Sequence, residues 1–449
     1  MRVHVTIPSL TTIGLLLAGA TTAQATDGHL LHGVGAINSA MGGIGVAMPS
    51  SLLGAFYVNP AGLLAFDGTA TELGFEMMKA ERGIATTVGS FAGTTESRSD
   101  FTPIPALGWS QELMQDRLAI GVAGLGIGGF GVDYPADPNN PILAPRPNGF
   151  GNVFSSFSLM RIIPAAAYQV TPQLRLGAAL NLNWASLAVD PMPVAAPAVD
   201  PGPDGVPNTA DDRAFYSSAT ADGAFGIGAQ LGLQYAVTPA VAVGLAYTTP
   251  QAFQDFEYNA VYENPNLPNY NTPRVFTFAM DVPAVYAGGV SWQPGSAWTA
   301  GVDAKYIDYE NTAGFEETGF NPDGSLRGFG WKSIWSVAAG AQFRPTAGIA
   351  LRAGYNYSDN PIADQYTMFN LPAPAVVQHH ATFGLGYLFD NGFGVDVGYY
   401  RAFENTIAGP IQGMGGAAPG TEVKTWMSEH SILVGFTFSP AGAGRGVAP

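Results

Sequence analysis

The sequence contains no cysteine, which removes disulfides, thiolate metal sites and cysteine nucleophiles together. Charge is scarce as well: Asp, Glu, Lys and Arg make up 12% of the chain, about half the share usual in soluble domains. Basic residues are the rarer sign, 18 against 34 acidic ones, for a net charge of −16. That balance argues against nucleic acid as a partner, because phosphate binding requires a basic surface. Long apolar runs are missing too. Beyond residue 25 no uninterrupted helix-like stretch approaches the roughly 20 residues needed to span a bilayer. A chain of this kind that enters a membrane does so with strands.

What remains is apolar, glycine-rich and long. The 449 residues are 47% hydrophobic and include 58 glycines and 34 prolines, enough for two or three soluble domains or for one large barrel. Residues 1–25 read as a secretory signal. Arg2 provides a thin positive start, Ile13–Ala20 a short apolar core, and Ala23-Gln24-Ala25 a small-x-small cleavage site. Cleavage is expected after Ala25.

From about residue 70 the hydrophobic pattern has period two. In Leu174–Trp184 one face is Leu, Leu, Ala, Leu, Leu, Trp and the other Arg, Gly, Ala, Asn, Asn. Leu351–Ser358 and Trp298–Tyr306 divide in the same way, as half-buried strands do. A soluble sandwich would alternate equally well, so the connections decide. Short polar or Pro/Gly turns fall at Glu112–Arg117, Thr171–Gln173, Thr238-Pro239, Gln293–Ser296, Arg344–Thr346 and Asp390–Gly392. Longer irregular segments separate them, near Gly128–Gly149, Asp190–Asp212, Tyr262–Pro273, Asn311–Gly330, Asp359–Pro374 and Asn405–Thr421. Short connections on one side and long ones on the other are the pattern of outer-membrane barrels. The expected fold is therefore all-β, a transmembrane antiparallel barrel of about fourteen strands over residues 70–438. Tyr168, Tyr235, Trp292, Phe343 and Phe389 stand beside the short turns, where an interfacial girdle belongs. Ile432, Val434, Phe436 and Phe438 form one face of a final strand, and the Gly/Ala/Pro-rich tail 439–449 is expected to be disordered.

Residues 26–69 do not alternate. They hold the Gly-rich run Gly35–Gly43 and then Asn59-Pro60-Ala61-Gly62, small residues that permit close packing and a tight turn. A compact piece ahead of a wide barrel reads as a plug, or else as a periplasmic extension; composition does not separate the two. Gly35-Ala36-Ile37-Asn38-Ser39-Ala40-Met41-Gly42-Gly43 with Asn59-Pro60-Ala61 closely resembles the FadL/TodX family of outer-membrane transporters for hydrophobic compounds. Pro164–Tyr168, Trp298–Asp303, Trp331, Gly340–Pro345 and Leu351–Tyr355 extend the resemblance over nearly all of residues 26–449. The resemblance implies an N-terminal hatch plugging a fourteen-stranded barrel in the outer membrane of a Gram-negative bacterium, as a monomer. It also implies capture of a hydrophobic ligand among the extracellular loops, passage to a pocket in the lumen, and release by hatch movement or through a gap beside a kinked strand. Asn59, Pro60 and Ala61 fall on the hatch motif and are the candidates for holding and gating it.

The third expected strand, Ala119–Gly131, is rich in glycine, with Gly124, Gly126 and Gly128 at its centre. Glycine weakens a strand and permits bends, so this strand is a candidate for lateral opening; small residues filling a crowded lumen are the alternative. A fatty-acid head group would want a buried cation, and Arg161, Arg175, Lys305 and Arg352 are placed on inward faces. Inward acids such as Asp303 and Asp396 would equally pair with them. No metal site or cofactor is expected. Asp200–Asp212 is acidic but lacks EF-hand spacing, and His379 and His380, adjacent on a strand, point to opposite faces. Long-chain fatty acids are the first choice of cargo and monoaromatic hydrocarbons the second. An outer-membrane hydrolase and a general porin are the rivals, and no catalytic Ser/His/Asp grouping stands out.

Overall fold

The computed structural model describes residues 27–98, 101–114, 116–205 and 213–439. The expected signal segment and residues 440–449 of the tail lie outside them, as do residues 206–212 of the acidic loop.

Fourteen strands form the wall. They are β1 (Thr69–Val88), β2 (Thr102–Leu113), β3 (Leu118–Tyr134), β4 (Val153–Gln169), β5 (Leu174–Asp190), β6 (Ala219–Thr238) and β7 (Val241–Thr248). The second half is β8 (Val285–Trp292), β9 (Trp298–Ile307), β10 (Ile334–Phe343), β11 (Ile349–Ser358), β12 (His379–Leu388), β13 (Phe393–Gly409) and β14 (Thr421–Phe438). Each pairs antiparallel with its sequence neighbours, and β14 pairs with β1 from Thr71↔Phe438 to Val88↔Thr421, which closes the sheet. Closure leaves no edge for lipid to meet with unpaired backbone.

The alternation read from the sequence is the wall's inside and outside. Along β5, Leu176, Leu180, Leu182 and Trp184 are exposed, while Gly177, Ala179, Asn181 and Asn183 are buried. Two aromatic belts mark the limits of the apolar band. On the short-turn side, Trp292, Trp298, Tyr387, Phe389 and Phe438 are exposed, with Trp298 stacked on Phe343 at 4.5 Å. On the long-loop side, Tyr247, Tyr286, Tyr306 and Trp335 stand in one register row across β7–β10. Rings with an apolar body and a polar tip are favoured at such boundaries. One segment departs from the sequence reading. The long connection expected near Tyr262–Pro273 is wider than that, running from β7 to β8, and carries a hairpin of its own in which Phe256–Val261 pairs with Pro273–Phe278.

The N-terminal residues fill the lumen. After Asp27–Leu30 come two short helices, α1 (Gly35–Ala40) and α2 (Leu52–Val58), and a 3-10 turn at Pro60–Ala65. Nearly every residue from Asp27 to Leu64 is buried. Seven residues make a weak helix alone, so contact with the wall holds these pieces. Asn38 organises the segment: its Oδ1 accepts from Val34 N (3.0 Å) and its Nδ2 donates to Ile44 O (2.9 Å). Gly42 and Gly43 take φ of +72° and +82°, a region that L side chains avoid. Wall glycines let the hatch backbone touch the barrel: a Cβ on Gly232 would meet Asn59 Oδ1, and one on Gly340 would meet Met41 O.

Candidate transport path

Asn59, Pro60 and Ala61 sit where the hatch meets β6 and β7. Asn59 is fully buried; its Nδ2 donates to Val46 O (2.7 Å) within the hatch and to the wall carbonyls of Leu233 (3.1 Å) and Leu245 (3.3 Å). Its Oδ1 accepts from Ala61 N (3.1 Å), which caps the 3-10 turn that Pro60 begins. An asparagine supplies both acceptor and donors at this point, and no other side chain of its size does so. Further wall groups grip the hatch: Asp303 Oδ2 accepts from Gly45 N (2.6 Å) and Val46 N (2.9 Å), and Glu72 Oε2 accepts from Leu53 N (3.1 Å).

The glycine-rich β3 is irregular where the sequence suggested. Its register with β4 shifts between Gly126 and Gly128, leaving Ile127 as the extra residue of a bulge. The pairing with β2 stops at Ala106↔Leu125. The reason lies in β2. Glu112 N donates to Gly68 O on the β1 side (2.7 Å), and the β1–β2 register is unbroken from there to Met78↔Thr102. Backbone groups alternate along a strand, so even residues of β2 address β1 and odd ones address β3. The odd residues at this end are Pro103 and Pro105, which have no N–H to give. Continued register would set Pro105 against Gly126 and Pro103 against Gly128.

The edge that β2 leaves unpaired is covered from inside. Leu30 of the hatch forms an antiparallel bridge with Gly128. Leu31 N donates to Ile127 O (3.0 Å) and Gly129 N to His29 O (3.0 Å). Further along, Arg82 Nη1 donates to Gly131 O, and Asp133 N donates to Ser97 Oγ (2.9 Å). A three-residue piece of the plug thus serves as the strand partner missing from the wall. A Cβ on Gly128 would collide with His29 O.

Two narrow cavities lie along the interior. One, of about 20 Å³, is between the long connections and is lined almost wholly by apolar groups, among them Leu187, Met192, Phe278, Phe329 and Phe369. The other, of about 50 Å³, is lined by Leu30, Leu31, Tyr57, Ile127, Arg161 and Lys305, among others. Between them stands a cluster of rings. His29 stacks on Phe315 (5.1 Å, 4° between planes) and meets Tyr309 and Phe157 edge-on at 5.4 and 5.9 Å. Tyr309 Oη lies 3.1 Å from its Nδ1, and burial, with Arg161 nearby, pushes the imidazole pKa down to about 3, so the ring is neutral. Below the hatch the lumen widens into a vestibule of about 990 Å³ bounded by the short turns.

The four bases that the sequence placed on inward faces have different partners. Arg352 is paired with Asp396 (2.7 Å), and Lys305 with Asp27 of the hatch (3.5 Å), Lys305 also donating to His32 O (3.1 Å). Arg175 lies half-buried at the short-turn end of β5. Arg161 is 5% exposed, donates to Asn183 Oδ1 (2.7 Å) and has no carboxylate within 4.0 Å among the described residues. His379 is exposed against Tyr355 Oη (2.5 Å) and His380 is buried inside the barrel. No group of three or more His, Asp or Glu suited to a metal occurs among the described residues. Ser431 donates its hydroxyl to Glu76 (2.6 Å) rather than to an imidazole. Pro103, Pro105 and the ring cluster went unread in the sequence. A Pro-x-Pro inside a period-two run was the available signal for the first; the second joins residues too distant in sequence to suggest one another.

A closed, plugged fourteen-stranded barrel with girdles at both limits of its apolar band is a transmembrane channel protein of the Gram-negative outer membrane. The sequence profile described as "Outer membrane protein transport protein (OMPP1/FadL/TodX)" matches residues 16–439, and the chain belongs to that family, whose members are transport channels and not enzymes. Among solved structures, the chain is similar to the toluene transporter TodX of Pseudomonas putida (20% identity, TM-score 0.68, 91% of this chain and 99% of that one). It is similar also to a FadL homologue of Pseudomonas aeruginosa (16%, TM-score 0.70, 92% and 99%) and to the toluene transporter TbuX of Ralstonia pickettii (20%, TM-score 0.64, 91% and 98%). No curated protein sequence matches the chain.

Proposed function

We propose that this protein takes up long-chain fatty acids by passive diffusion and releases them sideways, through the seam between β2 and β3. The observation that supports this reading most directly is the seam. Pro103 and Pro105 remove two donors that would close the wall, and the hatch residues His29–Leu31 hold the exposed edge of β3 instead. Displacing that short segment both enlarges the cavity lined by Leu30 and Leu31 and frees the edge, because one backbone stretch does both jobs. A hydrophobic cargo gains roughly 0.8 kcal/mol per methylene on passing into lipid, so a sideways exit is downhill, whereas the vestibule below is wet. In this mechanism Gly124, Gly126 and Gly128 give β3 its bend, and Asn59, Pro60 and Ala61 keep the rest of the hatch seated while its first residues move.

Arg161 favours a carboxylate cargo. It is a buried cation beside the cavity with no acid of its own among the described residues, and a bidentate carboxylate would satisfy it. Lys305 and Arg352 are already neutralised and serve the architecture. A second reading, uptake of monoaromatic hydrocarbons, rests on the His29 cluster, where a neutral ring is already held among Phe157, Tyr309 and Phe315.

Binding of oleate and of toluene to the detergent-solubilised protein, with uptake of both into cells, separates the two. Saturable oleate binding that Arg161→Gln weakens at least tenfold supports the fatty-acid reading. Toluene binding that is indifferent to Arg161→Gln, without oleate binding, replaces it with the aromatic one. Equal leakage of sugars through the wild type would overturn both and leave a porin.

A further inference from the structure

Where the aromatic belt of the long-loop side gives out, the outer wall turns basic on three adjacent strands. Arg401 of β13 stands directly opposite His430 of β14, and His430 directly opposite Lys79 of β1. Alternation puts all three outside, since their sequence neighbours Met78, Ala80, Tyr400, Ala402, Glu429 and Ser431 are buried in the barrel. The outward faces of the other eleven strands carry no lysine or arginine among the described residues; Lys424, the remaining outward one, is also on β14. In a chain of net charge −16 this gathering is not a matter of supply.

The row's height is as specific as its composition. Phe438 marks the periplasmic belt, and His430 lies eight residues along β14 from it. With a rise of ~3.3 Å per residue and a tilt of ~40°, that is roughly 20 Å upward, near the top of an apolar band ~25 Å tall. Below the row the outward side chains are Phe75, Val397 and Ile432, all exposed. Apolar below and cationic above is the complement of an amphiphile whose acyl chains end at a phosphate.

Arg401 and Lys79 are two like charges on either side of His430, and the row's internal compensation is small. Lys79 Nζ lies 3.8 Å from Glu81 Oε1 with both side chains about half exposed, and Lys79 also sits over the Phe101 ring at 5.9 Å. Arg401 has no carboxylate within 4.0 Å among the described residues. His430 is tied through Nδ1 to Tyr399 Oη at 2.7 Å. An external anion at this level relieves the repulsion and uses the planar donor fork of Arg401.

We propose that the outer face of β13, β14 and β1 binds the phosphate of an outer-leaflet lipopolysaccharide, with Arg401, His430 and Lys79 at the phosphate and Phe75, Val397 and Ile432 against the acyl chains. The site is separate from the lumen and independent of which cargo passes through it.

Protein purified from outer membranes, delipidated in detergent, is titrated with bisphosphorylated deep-rough lipopolysaccharide and followed by native mass spectrometry. Saturable binding of one lipid is expected. The double variant Lys79→Gln/Arg401→Gln should bind at least tenfold more weakly, while Arg117→Gln, a cation beside a short turn, binds as the wild type does. Dephosphorylated lipid A should bind the wild type as weakly as the double variant binds the bisphosphorylated form. Heat-modifiable electrophoretic mobility verifies that each variant is folded. Unchanged affinity in the folded double variant overturns the site, and so does wild-type binding of phosphatidylglycerol as tight as that of lipopolysaccharide.

Discussion

Leu30 of the hatch and Gly128 of β3 are paired as neighbouring strands are, although one belongs to the plug and the other to the wall. The flanking bonds, Leu31 N to Ile127 O and Gly129 N to His29 O, are both 3.0 Å. Plug and seam therefore move together or not at all.

Substituting Gly128 breaks this pairing with little effect on the rest of the barrel. Gly128→Val places a Cβ against His29 O, and losing two backbone hydrogen bonds costs about 1–3 kcal/mol. Hydrogen exchange at residues 29–31 should quicken at least tenfold while β14 stays protected. Unaltered exchange would show that the bridge contributes nothing to holding the hatch.

Closing the seam should stop transport. With no native cysteine, Pro105→Cys/Gly126→Cys gives one engineered pair immediately beyond the last wall pairing, Ala106↔Leu125, and its oxidation would pin the seam shut. The oxidised protein should lose most of its uptake and recover it with dithiothreitol. Full uptake in the oxidised form would direct the cargo through the vestibule instead.

Asn59→Ala removes the donors to Val46, Leu233 and Leu245 and the cap on Ala61. With these acceptors left buried, the hatch should be destabilised by about 2–4 kcal/mol while the wall remains folded. Planar-bilayer recordings should then show brief ion-conducting openings that the wild type lacks; a silent variant would mean the hatch is held mainly elsewhere.

Arg161→Gln and Arg352→Gln look alike on paper and should behave differently. Removing Arg352 strands Asp396 in the wall, a loss of about 3–5 kcal/mol in stability, visible as a lower temperature for loss of heat-resistant mobility. Removing Arg161 strands no acid, so thermal stability should change by less than about 1.5 kcal/mol. Equal destabilisation would make Arg161 another architectural base.

His29→Gly should open a space among Phe157, Tyr309 and Phe315. An apolar cavity of one ring's size stays dry and takes up small aromatics, so the variant should bind toluene more tightly than the wild type in a fluorescence or calorimetric titration. No gain would mean the rings close over the gap.

Much of the wall was written locally. Period two along Leu174–Trp184, the turn at Asp390–Gly392 and the missing apolar helices each report a constraint felt within a few residues, namely which face meets lipid and where backbone turns. The glycines of β3 marked a weak strand for the same reason. The connection near Tyr262–Pro273 was drawn too short because a strand in a loop alternates like a strand in a barrel; only its partners distinguish it.

Other features exist only once distant segments meet. Whether Lys305 awaits a ligand or holds Asp27 depends on a partner 278 positions away in sequence, and long-range packing likewise decides Arg352 with Asp396 and Arg161, which has no acid beside it among the described residues. The Pro-x-Pro of β2 becomes a seam only because the closed barrel fixes which edge its missing donors face. The sequence by itself determined that this chain is a membrane-spanning barrel preceded by a compact glycine-rich segment, since composition and periodicity follow from solvation by lipid and water residue by residue. Which bases are free, where the wall is unzipped and what holds the plug were decided by tertiary structure, because pairing across the lumen has no signature in local sequence.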